Sequence, residues 1–129
     1  MLAITLIQPY ATLIVHHGKD VENRSWPLRH RGPMLIHAGM KRDPAGWRMA
    51  ADLGIILPEE VPAGGLIGQV DVVGCVRDSE SPWAMPGQWH WLLANPRELP
   101  FQKMRGQRGL FHVGEPDQGA LFNPEPDRS

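Results

Sequence analysis

Fourteen glycines and thirteen prolines in 129 residues set the firmest limit on what this chain can fold into. Proline removes a backbone donor and breaks a helical ladder, and glycine in a helix interior carries an entropic cost. The breaks leave only short segments between them, too short for a helix bundle and well suited to a small β-rich domain. The expectation is therefore an α+β fold, a small and partly closed β-barrel of about six strands, with two helices inserted between the early strands.

The apolar share, 42%, is enough for one core and the length for one domain. Cys75 is the single cysteine. It excludes an intramolecular disulfide framework and a cysteine-ligated zinc or iron–sulfur site within one chain. No apolar run approaches the ~18 residues of a membrane span. The start, MLAITLIQPY, lacks the basic region and cleavage site of a signal peptide, so the expected compartment is the cytoplasm. A net charge of −1 offers no bulk attraction to nucleic acid. The balance is nevertheless uneven: residues 1–54 carry seven basic and four acidic side chains, and residues 55–129 six and ten. The expected domain runs over 1–114, followed by an acidic, proline-containing tail over 115–129 that reads as flexible.

The hydrophobic pattern places a first strand at Leu2 to Ile7. Gln8-Pro9 then opens a helix whose Ala11, Ile14 and Val15 share a face, and Gly18 closes it. Residues 19–26 read as extended, and Pro33 to Ala38 as a strand. Asp43-Pro44 is an N-cap followed by proline at the first helical position, with the second helix ending at Gly54. Gly65 to Val76 is the most pronounced strand signal, its glycines marking a bulge or bend. Gln88 to Ala94, Leu99 to Met104 and Gly109 to Val113 complete the strands.

Chemistry-bearing residues concentrate after the first helix, where Lys19, Glu22, Arg24, Ser25 and Trp26 fall within eight positions. In an extended segment, Glu22, Arg24 and Trp26 share one face, with Lys19 at its entrance. An indole can stack on a planar ligand, a guanidinium can fork onto it and a carboxylate can accept an amino group. The plainer alternative is a solvated strand whose Glu22 pairs with Arg24 or Arg29. Lys19 likewise has two readings, a helix-terminal cation or a desolvated base. Trp89 and Trp91 point the same way on a strand, as core or as a base-stacking wall. Arg97, Lys103, Arg105 and Arg108 bracket a glycine turn that is either a phosphate-contacting rim or a solvated loop. Cys75 reads as an inert thiol buried in an apolar strand. The six histidines show no HxH or HExxH spacing, and GxSxG, GxxxxGK[ST] and GxGxxG are absent. No metal and no cofactor is expected.

These segments together resemble the ASCH family. The resemblance rests on Gln8-Pro9-Tyr10, Gly18-Lys19 with Glu22, Arg24-Ser25-Trp26, Arg31-Gly32-Pro33 and Ile36-His37-Ala38. It continues through Gly65 to Gly68, Val70 to Val72, Trp91 to Pro96 and Gly106 to Val113. The resemblance implies a PUA-like barrel, related to RNA-binding domains, with a nucleic-acid or nucleotide cleft around a GxKxxE-type motif. Some members of the family are enzymes. In one amidohydrolase branch, acting on N4-acetylcytidine, the motif lysine is the base, a threonine three residues later the nucleophile, and a later glutamate assists. Lys19 matches the lysine, but Glu22 occupies the threonine position, and a carboxylate is a poor substitute for a hydroxyl nucleophile in amide hydrolysis. Asp71 is the candidate for the assisting acid.

The expected function is thus that of a stand-alone ASCH domain protein binding RNA, single-stranded DNA or a nucleotide. Its contacts would come from Gln8, Pro9, Lys19, Arg24, Ser25, Trp26, Arg29, Arg31 and Trp91. The alternative is a hydrolase on an N4-acylcytidine-like nucleoside or on RNA, with Lys19 and Glu22 as an acid–base pair. The expected partner is a nucleic acid or nucleoside, not a membrane.

Overall fold

The structure, a computed structural model, describes residues 1–114. The chain runs β1 (Leu2–Gln8), α1 (Tyr10–His16), β2 (Val21–Arg24), β3 (Gly32–Arg42), α2 (Pro44–Asp52), β4 (Gly65–Val76), β5 (Trp89–Lys103) and β6 (Leu110–His112). The six strands form one sheet in the order β2-β5-β4-β3-β1-β6. The α+β architecture and the placement of both helices between early strands are as the sequence leads one to expect. The sheet is not closed, however. β2 and β6 stand at its two ends, and no ladder joins them among the described residues. The tail over 115–129 lies outside the described residues.

β1 and β3 pair in parallel, Ile4 opposite Ile36, and every other ladder is antiparallel. Both faces of the central strands are covered. On one face Ile4, Leu6, Met34, Ile36, Val70, Val72 and Trp91 pack against Ala11, Ile14 and Val15 of α1. On the other, Ala3, Leu35, Leu66, Leu99 and Phe111 form a second cluster. Burial on two faces explains why these strands read as near-continuous apolar runs rather than strict alternation. Each fully buried large side chain contributes about 1.5–3 kcal/mol relative to exposure. The approach of α1 to the sheet is close enough that a Cβ at Gly68 would lie 2.6 Å from Val15 Cγ2.

The helix boundaries follow their capping residues. Asp43 Oδ1 accepts the Ala45 N–H at 3.1 Å, with Pro44 at the first position of α2. Gly18 (φ 76°) and Gly54 (φ 82°) take left-handed conformations just past the helices. One expectation is corrected. The two segments Gln88–Ala94 and Leu99–Met104 are a single fifteen-residue strand, β5. Asn95-Pro96 reads as a break, but Asn95 adopts φ 52° where the β4–β5 register shifts between Gln69 and Asp71. The bulge absorbs the proline and the strand continues.

Candidate nucleic-acid interface

The candidate residues are positioned by α1, β2 and the bend that follows β2. Gly18 turns the chain back so that the Lys19 N–H bonds to Leu13 O at 3.1 Å. This directs the Lys19 side chain inward, where it is only 4% exposed. Its Nζ donates to Val21 O, stands 3.7 Å from Glu22 Oε1 and lies 5.6 Å from the centre of the Tyr10 ring. Burial lowers the Lys19 pKa from 10.5, while the Glu22 carboxylate pulls it back upward. The helix-terminal reading of Lys19 therefore gives way to the desolvated one.

Glu22 is itself buried, opposite Trp91 in the β2–β5 ladder. Its Oε2 accepts the Nε–H of Arg24 at 2.8 Å. The expected alternation holds, because Glu22, Arg24 and Trp26 gather around Trp91. The Arg24 guanidinium sits 5.8 Å from the Trp91 ring centre, and the Trp26 ring meets Trp91 edge-on at 4.8 Å. Trp91 Nε1 also donates to Trp26 O at 3.1 Å, which fixes the bend. The Nη atoms of Arg24 have no partner among the described residues.

The predicted contact residues separate into two groups. Arg24, Ser25, Trp26, Arg29 and Arg31 reach the surface. Arg31 is held there by donating from Nη1 to Leu28 O and His30 O, both at 2.9 Å. Gln8, Pro9 and Trp91 are interior. Gln8 is placed as a helix clamp rather than a surface contact. Its Oε1 accepts the Thr12 N–H at 3.0 Å, and its Nε2 donates to Thr12 Oγ1 and Pro62 O, each at 2.8 Å. Trp91 is fully buried, so its ring is a support for Trp26 and Arg24 and not an open stacking wall.

Tyr10 and Asp43 join the cluster although the residue pattern did not single them out. The Tyr10 hydroxyl donates to Asp43 Oδ2 at 2.7 Å. Burial and the Asp43 carboxylate raise the Tyr10 pKa, and the same hydrogen bond lowers that of Asp43. The signal in the sequence is Tyr10 within the Gln-Pro-Tyr run; Asp43 reads as a helix cap alone, and in the fold it serves as cap and partner at once.

Other candidates lie elsewhere. Asp71 accepts from Asn95 Nδ2 at 3.0 Å, well outside the Lys19–Glu22 pair's contacts. Cys75 is half-buried rather than buried, and its Sγ accepts the Leu28 N–H at 3.4 Å. Trp83 packs with Leu13, Val21 and Ala50 as core. Among the described residues no group of three His, Cys, Asp or Glu is arranged to hold a metal ion. No helix there is long and apolar enough to cross a membrane.

These residues combine a buried Lys19–Glu22 pair with the partly exposed Arg24, an exposed indole and the surface arginines. Comparison with known proteins identifies the family of the domain that carries these residues. The ASCH domain family matches residues 4–103. Activating signal cointegrator 1 of Mus musculus is 29% identical over 111 residues, covering 74% of this chain, and that of Homo sapiens 28% identical over 117 residues. The chain spans 19% of the length of each of these relatives. Six strands in one open sheet with two helices make up the small α+β, PUA-like fold of such a domain. The chain belongs to the ASCH domain family, a family associated with nucleic acids.

Proposed function

We propose that this domain binds a single-stranded nucleic acid through the surface formed by Arg24, Ser25, Trp26, Arg29 and Arg31. The observation that carries the reading is the state of Arg24. Glu22 occupies its Nε, while Nη1 and Nη2 have no hydrogen-bond partner among the described residues, and Arg24 and the partly exposed Trp26 both flank the Trp91 ring. A guanidinium held at one nitrogen is preorganised to fork onto a phosphate or a base edge with the others. Stacking on Trp26 would add about 1–3 kcal/mol per base. Lys19 and Glu22 lie beneath this surface and position it.

Fluorescence anisotropy with labelled RNA and DNA single strands at two salt concentrations tests the reading. Affinity should weaken as salt rises, because each phosphate contact releases counterions. Failure of RNA, single-stranded DNA and duplex alike to bind at low salt would overturn it.

One observation favours a second reading, hydrolysis of an N4-acylcytidine-like amide or of RNA. Lys19 is a lysine of lowered pKa beside a carboxylate, the pairing expected of a general acid and base. Incubating wild-type protein with N4-acetylcytidine or with RNA and finding no product would remove this reading while leaving the first intact.

A further inference from the structure

A concave surface, apart from the residues of the interface above, lies at the far end of β5 from Trp91. Its volume is about 410 Å³, within the range of small-molecule sites, and its walls include Thr5, His37, Met40, Lys103, Met104 and Arg105. No acidic side chain lines it. The side chains of Lys103 and Arg105 have no hydrogen-bond or ion-pair partner among the described residues. Met40 is 75% exposed, an apolar and adaptable wall beside two free cations.

The rim is built rather than loose. His37 is buried, and its Nε2 donates to Met104 O at 2.7 Å. That leaves Nδ1 to accept the Thr5 hydroxyl at 3.2 Å, and Thr5 Oγ1 in turn accepts the Gln107 N–H at 3.3 Å. The Met104 N–H bonds to Gly64 O at 3.0 Å, and the Gly64 N–H to Ala38 O at 2.8 Å. The backbone passes so near this network that a Cβ at Gly106 would lie 2.6 Å from Thr5 Oγ1. The segment bearing Lys103 and Arg105 is thereby fixed at both ends.

We propose that this cleft takes one nucleotide unit of a bound single strand, its phosphate at Lys103 and Arg105 and its base or sugar against Met40 and Met104. The inference rests on the nucleic-acid reading above and extends it to a second contact region. The volume suits a mononucleotide, two cations with no acid among the lining residues favour an anionic occupant, and the methionine wall suits a flat apolar face.

The test uses the full chain and an oligothymidylate of about ten nucleotides. Lys103→Gln with Arg105→Gln should weaken binding about tenfold and reduce the steepness of the salt dependence by roughly 0.7 in log–log slope, the share of one single-strand phosphate. Both side chains are exposed, so folding is unaffected. Methyl NMR of Met40 and Met104, assigned with Met40→Leu, should shift on adding thymidine 5′-monophosphate. Wild-type binding that is unchanged in the double variant, with still methyl signals, would overturn this inference and leave the Arg24–Trp26 reading standing. Absence of all oligonucleotide binding in wild type would overturn both. Methyl shifts caused by an acidic peptide and not by the nucleotide would overturn it in favour of a protein partner.

Discussion

Glu22 holds Arg24 by one nitrogen: Oε2 accepts the Nε–H at 2.8 Å, while Oε1 faces the buried Lys19 ammonium at 3.7 Å. One carboxylate therefore neutralises an interior cation and aims a surface guanidinium. Its two tasks make distinct predictions.

Glu22→Gln leaves the Lys19 charge buried without its counter-ion. Removing one partner of a buried pair costs about 3–5 kcal/mol. The expected outcome in urea denaturation is a loss near the lower end, because Lys19 can shed its proton. Adding Lys19→Met should recover part of it, with a coupling of about 1–3 kcal/mol. Strict additivity of the two substitutions would show that the pair does not interact.

Stability should respond to alkaline pH through Lys19. Its folded pKa is lowered from 10.5, so between the two values the unfolded chain binds more protons. Unfolding free energy then rises with pH through that window, as the cost of the buried charge is relieved. Tyr10 acts in the opposite sense. Its folded pKa is raised from 10.0, so above that value the unfolded state loses a proton the folded state keeps, and stability falls. Subtracting the pH profile of Lys19→Met from wild type should isolate the rising limb, and Tyr10→Phe should remove the falling contribution. A flat difference profile for Lys19→Met would contradict the desolvated placement.

Gly46→Ala should destabilise the protein although alanine ordinarily favours a helix over glycine by about 1 kcal/mol. Gly46 lies in α2, where a Cβ would come within 2.5 Å of Pro9 Cδ and 3.2 Å of Tyr10 Cε1. Overpacking of this kind costs about 1–3 kcal/mol. Thermal denaturation showing a raised Tm would mean that α2 does not press on the start of α1.

Much of this arrangement was legible in the sequence because it rests on local rules. Asp43-Pro44, Gly18 and Gly54 mark helix ends through capping and left-handed backbone. The period of two places Glu22, Arg24 and Trp26 together. What was not legible depends on tertiary placement. Nothing in Gln8 itself distinguishes an amide facing a ligand from one clamping Thr12 and Pro62. Trp91 and Trp26 are the same residue type, and only the β2–β5 pairing decides which is buried. Asn95-Pro96 ends a strand by propensity, yet the neighbouring β4 shifts register and carries it through. Closure of the sheet likewise depends on its two short end strands meeting, and they do not pair.

The two tryptophans should separate in experiment. Trp91→Ala removes a fully buried indole and should cost about 3–5 kcal/mol of stability. Trp26 is 36% exposed, and its loss should cost about 1–2 kcal/mol, less than that of Trp91, while weakening single-strand binding by roughly five- to a hundredfold. Paired urea titrations and anisotropy measurements decide this. A Trp26→Ala protein that binds like wild type would exclude stacking at that position.

The most direct measurement is single-strand affinity for Arg24→Lys, taken by anisotropy at fixed low salt beside wild type. Lysine preserves the positive charge but loses the planar fork that Glu22 aims outward. An affinity reduced about tenfold, with the urea midpoint changed little, is the result predicted for a preorganised guanidinium at the interface. Equal affinity for the two proteins would contradict it, leaving at most a diffuse attraction between charges.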